Sequence, residues 1–447
     1  MIFSKKENDL RQPNRLPGSL KWIVLNLALM ALLLGGCDVL NRWQQALLPV
    51  LPTSTPPETL PLPSPTPELS PTSQPLQVLT LWLPPRFDPA AGTTDGALLS
   101  ARIKQFEALN PGVVVIVRIK AEEGLAGMLE SLAATSQAAP QNLPSIVLFS
   151  GQDLQRAYDR TLIHPIGGLS SAPAAGDWYD FANKIARLDA EGLGLPMAGD
   201  ALGVVYRPAQ VGTPPSGWDD LLARNDPFLL AGNQPEALFV LHLYLSGGGS
   251  LIDENLVPSL DEQNLADALR ILSNGVQLGV FPFGVTDLST DADVWQAYEE
   301  KRGSWAFTWI SHYLRSLPAD SSAALAPTMG DDDFALADAW VLALSEPLPE
   351  KQAASIRLME YLTDSQFLAD WSVAAGVIPA RPSALANWSN QSLRGFVSQV
   401  ALAAQPLPAP YLLDIISPPL RDAALQVLKR LQDPTSAASE ASGKVAP

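Results

Sequence analysis

The chain has very little cysteine, since Cys37 is the only one among 447 residues. A disulfide within the chain needs two thiols, so none can form. The stability of the protein must therefore come from packing, and a chain of this length can bury enough apolar surface for that.

Histidine is also scarce and scattered, at His164, His242 and His312. The sequence has no HExxH pair for a metal and no GxSxG turn for a serine nucleophile. The glycine run at 247–249 is not followed by the lysine of a phosphate-binding loop. These absences predict a protein with no metal, no cofactor and no catalytic residue.

Basic residues are fewer than acidic ones, and the formal net charge is −17. Residues 1–36 carry five basic and two acidic side chains, so the remainder of the chain has a formal charge of about −20. Such an acidic body argues against binding to nucleic acid and against lying on anionic lipid.

The N-terminus has the pattern of a secretory signal, in which basic residues precede the apolar run "WIVLNLALMALLLGG" at 22–36. The run is shorter than the roughly 20 residues that a membrane span needs. The sequence "LGGC" at 34–37 resembles a bacterial lipobox, which implies that Cys37 becomes the lipidated N-terminus at the outer face of the cytoplasmic membrane. An uncleaved signal anchor is the alternative, and it would place the body on the same side.

Residues 49–75 form a segment with ten prolines, nine serines or threonines and no glycine. Such a composition favours extended polyproline II structure and cannot build a core. We expect a linker that holds a globular body away from the membrane. A ligand for a proline-reading domain is the other interpretation.

Apolar runs that alternate with helical patterns predict an α/β domain beyond the linker. The runs at 78–83, 113–119 and 145–149 predict strands of a parallel sheet, and 113–119 is apolar enough to be covered on both faces. Ligands of such sheets bind beyond the carboxyl ends of the strands. This rule selects Trp82 and Asp88 after the first strand, and residues 149–153 after the third strand.

Several segments in order resemble extracellular solute-binding proteins of family 1, the sugar-binding components of ABC importers. They are "LTLWLPP", "FEALNPGVVVIVRI", "LPSIVLFSGQDL", "LPMAGDALGVVYR" and "GSWAFTWISHY", and the resemblance covers about residues 78–390. It implies a two-lobed α/β fold of the periplasmic-binding-protein type II, with a ligand cleft at the hinge. Chain crossings would fall near 199–206 and 305–338. The family binds a solute, carries out no covalent chemistry and passes the solute to permease subunits.

The resemblance also implies a domain organisation. We expect a lipoprotein signal at 1–36, the lipidated cysteine and linker at 37–77, and the first lobe at 78–200. The second lobe would follow at 201–310, with a return to the first lobe at 311–365. Helices at 366–432 would complete the second lobe, and 433–447 would be a disordered tail.

Candidate ligand-binding residues are aromatic side chains that stack on sugar rings and polar side chains that bond sugar hydroxyls. Alternation along a strand would point only one of Trp309 and Tyr313 into the cleft, and Tyr313 is slightly preferred. For Trp82 a core position is the alternative, and for Gln152 and Asp153 a helix-capping role. The full set is Trp82, Asp88, Gln152, Asp153, Asp200, Trp309, Tyr313 and Trp340.

The sequence leaves the ligand and the partner open. The leading hypothesis is a monomeric, lipid-anchored protein that captures a carbohydrate for an ABC importer. The alternatives within the same fold are a polyamine, a peptide or glycerol phosphate as the ligand, or a role in reporting the ligand to a membrane sensor. A secreted glycoside hydrolase, which needs two carboxylates such as Asp153 and Asp200, is the enzyme alternative.

Overall fold

A computed structural model describes residues 76–188 and 191–445, which belong to a compact unit of residues 73–447. The predicted signal segment, the lipidated Cys37 and nearly all of the linker lie outside the described residues. Within the described ranges, no helix is both long and apolar enough to span a membrane.

The strands are labelled in chain order. They are β1 (Gln77–Leu83), β2 (Val113–Ile119), β3 (Ile146–Ser150), β4 (Arg187–Leu188), β5 (Glu191–Gly192), β6 (Gly194–Tyr206), β7 (Phe228–Leu229), β8 (Trp305–Trp309), β9 (Ser322–Ala324), β10 (Ala335–Leu344), β11 (Ile378–Pro379) and β12 (Ala404–Pro406).

The α-helices are labelled in the same way. They are α1 (Thr94–Leu109), α2 (Met128–Ala138), α3 (Gly151–Asp159), α4 (Asp180–Ile185), α5 (Pro208–Val211), α6 (Trp218–Ala223), α7 (Leu238–Ser246), α8 (Glu262–Leu278), α9 (Asp291–Glu299), α10 (Ile310–Ser316), α11 (Pro349–Leu362), α12 (Ser365–Ala375), α13 (Pro382–Ala386), α14 (Gln391–Ala403), α15 (Pro410–Leu428) and α16 (Pro434–Val445). Short 3-10 helices occupy Pro85–Phe87, Pro140–Asn142, Ala172–Ala174 and Phe283–Asp287.

The main sheet has the strand order β2-β1-β3-β10-β6-β8-β7. Strands β1, β2 and β3 pair in parallel, as the alternating pattern predicts. Strand β2 was expected to be covered on both faces, and this is wrong. It is the edge strand of the sheet, and most of its residues are exposed or half-buried.

Two hydrophobic cores define two lobes, and β6 runs from one core into the other. Ala201 packs in the core of the first lobe and Leu202 in the core of the second. Strand β6 accordingly pairs with β10 on one side of this point and with β8 beyond it. All 13 residues of β6 are buried, so the crossing lies inside the molecule.

Two assignments for the C-terminal region differ from the structure. Helices α12 to α14 pack in the first core, through residues such as Trp371 and Val397, so residues 366–404 do not complete the second lobe. The chain crosses again before Leu413, which packs in the second core. The expected disordered tail is helix α16, because its small apolar residues, among them Ala438 and Ala441, are buried in that core.

Candidate functional site

A cavity of about 800 Å³ lies between the two lobes, within the described part of the chain. Its walls come from the start of α3 in the first lobe, from β6 and β10 at the crossing, and from α9 and α15 in the second lobe. This volume suits a small solute, since ligand pockets commonly span about 300–1,000 Å³.

Asp200 lies on β6 where the two cores meet, and its side chain is only 3% exposed. Its Oδ1 accepts the backbone N–H groups of Ala201 at 2.9 Å and Ser311 at 3.1 Å. The guanidinium of Arg86 lies 3.9 Å from Oδ2. Burial raises the pKa of Asp200 to about 6, although Arg86 and the hydrogen bonds oppose the shift. Asp200 therefore joins β6 to the start of α10 at the base of the cavity.

Asp338 is the direct cross-strand neighbour of Asp200, because β10 pairs with β6 in this register. Its Oδ1 accepts the backbone N–H groups of Ala339 at 2.8 Å and Gly151 at 2.9 Å. Burial, together with the nearby carboxylates of Asp153 and Asp200, raises the pKa of Asp338 to about 7. Two carboxylates thus stand side by side on the strands that connect the lobes.

Arg86 follows β1 and extends into the cavity. Its guanidinium lies 4.6 Å from the ring centroid of Trp340, which is a cation–π distance. Within the described residues, its Nε and Nη2 atoms are buried and have no hydrogen-bond partner. Burial lowers the pKa of Arg86, while Asp200 opposes this. Arg86 can therefore offer donors to a ligand while its charge is balanced by Asp200.

Gln152 and Asp153 open helix α3 and also line the cavity. The side-chain amide of Gln152 donates to the carbonyl of Pro408 at 2.9 Å, and its Oε1 has no partner among the described residues. Asp153 lies 3.8 Å from Arg156, and burial raises its pKa. The helix itself is capped by Ser150, whose side chain accepts the backbone N–H of Asp153.

Trp309 and Trp340 supply the aromatic surface of the cavity. Trp309 is the last residue of β8, and helix α10 begins directly after it. Trp340 is half-buried on β10, with the ring of Phe87 at 5.2 Å in an edge-on arrangement. Rings of this kind can stack on the C–H faces of a sugar.

Three predicted site residues do not line the cavity, so its geometry does not support their predicted role. Trp82 is buried in the first core, with Lys120 over its ring at 4.6 Å. Asp88 accepts the backbone N–H of Ala90 and so stabilises a turn. Tyr313 lies on helix α10 and packs against Phe396, because the strand alternation used to prefer it over Trp309 ends at β8.

The other five candidates line one cavity. Their contacts with a ligand stay a prediction. They are Gln152, Asp153, Asp200, Trp309 and Trp340. The cavity also contains residues that the sequence did not indicate, and most of them come from the second lobe. Among them are Arg86, Gln234, Glu236, Asp291, Asp338 and Ser417. Arg86 was within reach of the strand-end rule, which selected its neighbour Asp88.

Several solved structures have a similar fold. T. maritima MalE3 bound to maltose matches with a TM-score of 0.65 at 16% identity, over 82% of this chain and 98% of that chain. The cyclic α-maltosyl-1,6-maltose binding protein of Arthrobacter globiformis matches with a TM-score of 0.67 at 17% identity, over 83% of this chain and 98% of that chain. An ABC transporter solute-binding protein of Thermotoga lettingae bound to α-D-tagatose matches with a TM-score of 0.65 at 17% identity, over 83% of this chain and 98% of that chain. The chain therefore has the two-lobed α/β fold of a binding protein, which confirms the predicted fold class.

Residues 101–394 match the family of bacterial extracellular solute-binding proteins. The chain belongs to this family. It is an extracytoplasmic solute-binding protein and not an enzyme, as predicted. No curated protein sequence matches it.

Proposed function

We propose that the chain captures a carbohydrate in the interlobe cavity and delivers it to an ABC importer. The observation that carries the proposal is a cavity of about 800 Å³ in which two tryptophans face a set of carboxylate and amide side chains. This combination suits a solute with apolar ring faces and hydroxylated edges. The names of the similar structures, which report maltose, cyclic maltosyl-maltose and tagatose ligands, support the same class of solute.

The experiment is a tryptophan-fluorescence titration of the full chain in detergent with mono- and oligosaccharides. We expect a saturable shift with one class of saccharide, because Trp309 and Trp340 line the cavity. Trp309→Ala should weaken that binding at least about tenfold, which corresponds to roughly 1.4 kcal/mol of lost stacking. Calorimetry measures the same affinity without relying on the tryptophan signal.

The matched control is Phe283→Ala, because Phe283 is an aromatic residue of the second lobe that is 68% exposed and does not line the cavity. It should bind with the affinity of the unaltered chain. Failure of every saccharide to bind, or equal losses in both variants, would contradict the proposal.

The lipid anchor is part of the same proposal. Support comes from the signal pattern with "LGGC" at 34–37 and from the extracellular family. Lipid on Cys37 would hold a monomeric binding protein at the outer face of the cytoplasmic membrane, near its permease. Intact-mass analysis of the mature chain checks this. An unmodified Cys37, or an N-terminus elsewhere, would count against the anchor.

A non-sugar solute is the second candidate, and one observation favours it. The cavity holds more carboxylates than an uncharged sugar requires, and this excess of negative charge attracts cations.

A further inference from the structure

The cavity wall is strongly acidic. It contains eight carboxylate side chains against two arginines, Arg86 and Arg156. His312 adds no positive charge near neutral pH, because burial lowers its pKa to about 4. The carboxylates come from both lobes and from the crossing strands, so closure of the lobes brings like charges together unless a ligand compensates them.

The two arginines are already engaged by carboxylates. Arg86 lies 3.9 Å from Asp200. Arg156 lies 3.0 Å from Asp414 and 3.8 Å from Asp153. Most of the other carboxylates that line the cavity form no ion pair with a lysine or an arginine among the described residues.

Asp291 is the clearest of these unpaired acids. It begins helix α9, and its Oδ2 accepts the side-chain amide of Gln234 at 2.9 Å. Burial, together with the nearby carboxylates of Asp200 and Glu236, raises the pKa of Asp291 to about 7, although the hydrogen bond from Gln234 opposes the shift. A protonated amine beside Asp291 and Glu236 would form charge-assisted hydrogen bonds and relieve this repulsion.

Several buried polar atoms of the cavity wall have no hydrogen-bond partner among the described residues. The hydroxyl of Ser417 on α15 lines the cavity, and the residue is only 5% exposed. Among the described residues, its Oγ has no hydrogen-bond partner, and the same is true of Gln152 Oε1 and of Nε and Nη2 of Arg86. Buried polar groups are rarely left unpaired, so these atoms are suited to ligand hydroxyls.

We propose that the cleft selects a saccharide that carries a protonated amine. Asp291 and Glu236 bind the ammonium group, while Arg86, Gln152 and Ser417 bond the hydroxyls. The inference rests on the proposed function and narrows it to one class of solute. It differs from a simple polyamine ligand because a polyamine offers no acceptor to the unpaired donors, which are Ser417 Oγ and the Nε and Nη2 atoms of Arg86.

Matched pairs of saccharides test this by calorimetry on the full chain near neutral pH. The probes are glucosamine with glucose, and fully deacetylated chitobiose with cellobiose. We expect the amino member of a pair to bind at least about tenfold tighter than its hydroxyl counterpart. Asp291→Asn, which keeps the size of the side chain and an oxygen for Gln234, should reduce this preference to within about threefold. Glu236→Gln gives a second variant should the first fail to fold.

The control is Glu299→Gln, because Glu299 is an exposed acid at the other end of the same helix α9 and does not line the cavity. It should keep the full preference.

Equal binding of both members of each pair overturns the amine inference and leaves the proposed function intact. An amine preference that survives in Asp291→Asn and Glu236→Gln overturns the assigned subsite. Binding of spermidine with no saccharide bound overturns both proposals.

Discussion

Gly151 shows how a single residue shapes the base of the cavity. Its backbone N–H donates to Asp338, and a Cβ at this position would collide with Asp338 Oδ1 and with the side chain of Ile185. We expect Gly151→Ala to lower the free energy of unfolding by about 1–3 kcal/mol, as overpacking does. Urea unfolding measures the change.

A second glycine provides the control for this substitution. Gly395 lies inside helix α14, and a Cβ there would meet nothing within 4 Å. Gly395→Ala should therefore leave the protein as stable or raise its stability by about 0.5–1 kcal/mol, because alanine favours a helix. Two alanine variants of equal stability would show that Asp338 moves aside without cost.

Some residues of the site could be predicted from their position after a strand or near an expected chain crossing. Gln152 and Asp153 follow a buried strand directly, so the strand-end rule found them. Asp291 and Ser417 lie on helices α9 and α15 of the second lobe and reach the cavity only through tertiary packing. No local pattern distinguishes such an acid or serine from an ordinary surface residue.

At the level of elements, runs of apolar residues located the strands well. The predicted strand at 113–119 has the bounds of β2, and β1 and β3 begin within one residue of their predictions. The exposure of a strand was harder to predict, because a run of apolar residues occurs both in central strands and in edge strands of a sheet. The order β2-β1-β3 leaves β2 without a neighbour on one side.

Helices near the C-terminus illustrate a second limit at this scale. Helices α12 to α14 and α15 to α16 have similar apolar faces, yet the first group packs in the core of the first lobe and the second group in the other core. Periodicity predicts that a helix has an apolar face but not which core receives it. The small side chains of α16 gave a weak hydrophobic signal, and its packing against α8 was therefore missed.

For the whole molecule, buried acids and buried histidines act on the pH dependence of stability in opposite directions. Burial raises the pKa of Asp291 and Asp338 to about 7. In each case the folded state holds a proton that the unfolded state releases, so stability falls as pH rises. Burial lowers the pKa of His242 and His312 to about 4, so their contribution to stability is lost as pH falls below their ordinary value.

Asp338→Asn isolates one of these contributions. The pKa of Asp338 is raised from 3.8 to about 7, so the unaltered protein loses stability through this window and the variant does not. The free energy of unfolding of the variant, relative to the unaltered protein, should therefore increase with pH by on the order of 1 to 3 kcal/mol. Urea unfolding near the two ends of the window measures this. Asp332→Asn, at an exposed acid just before β10, should show no such rise, and a flat or falling difference for Asp338→Asn would mean that Asp338 stays ionised in the folded protein.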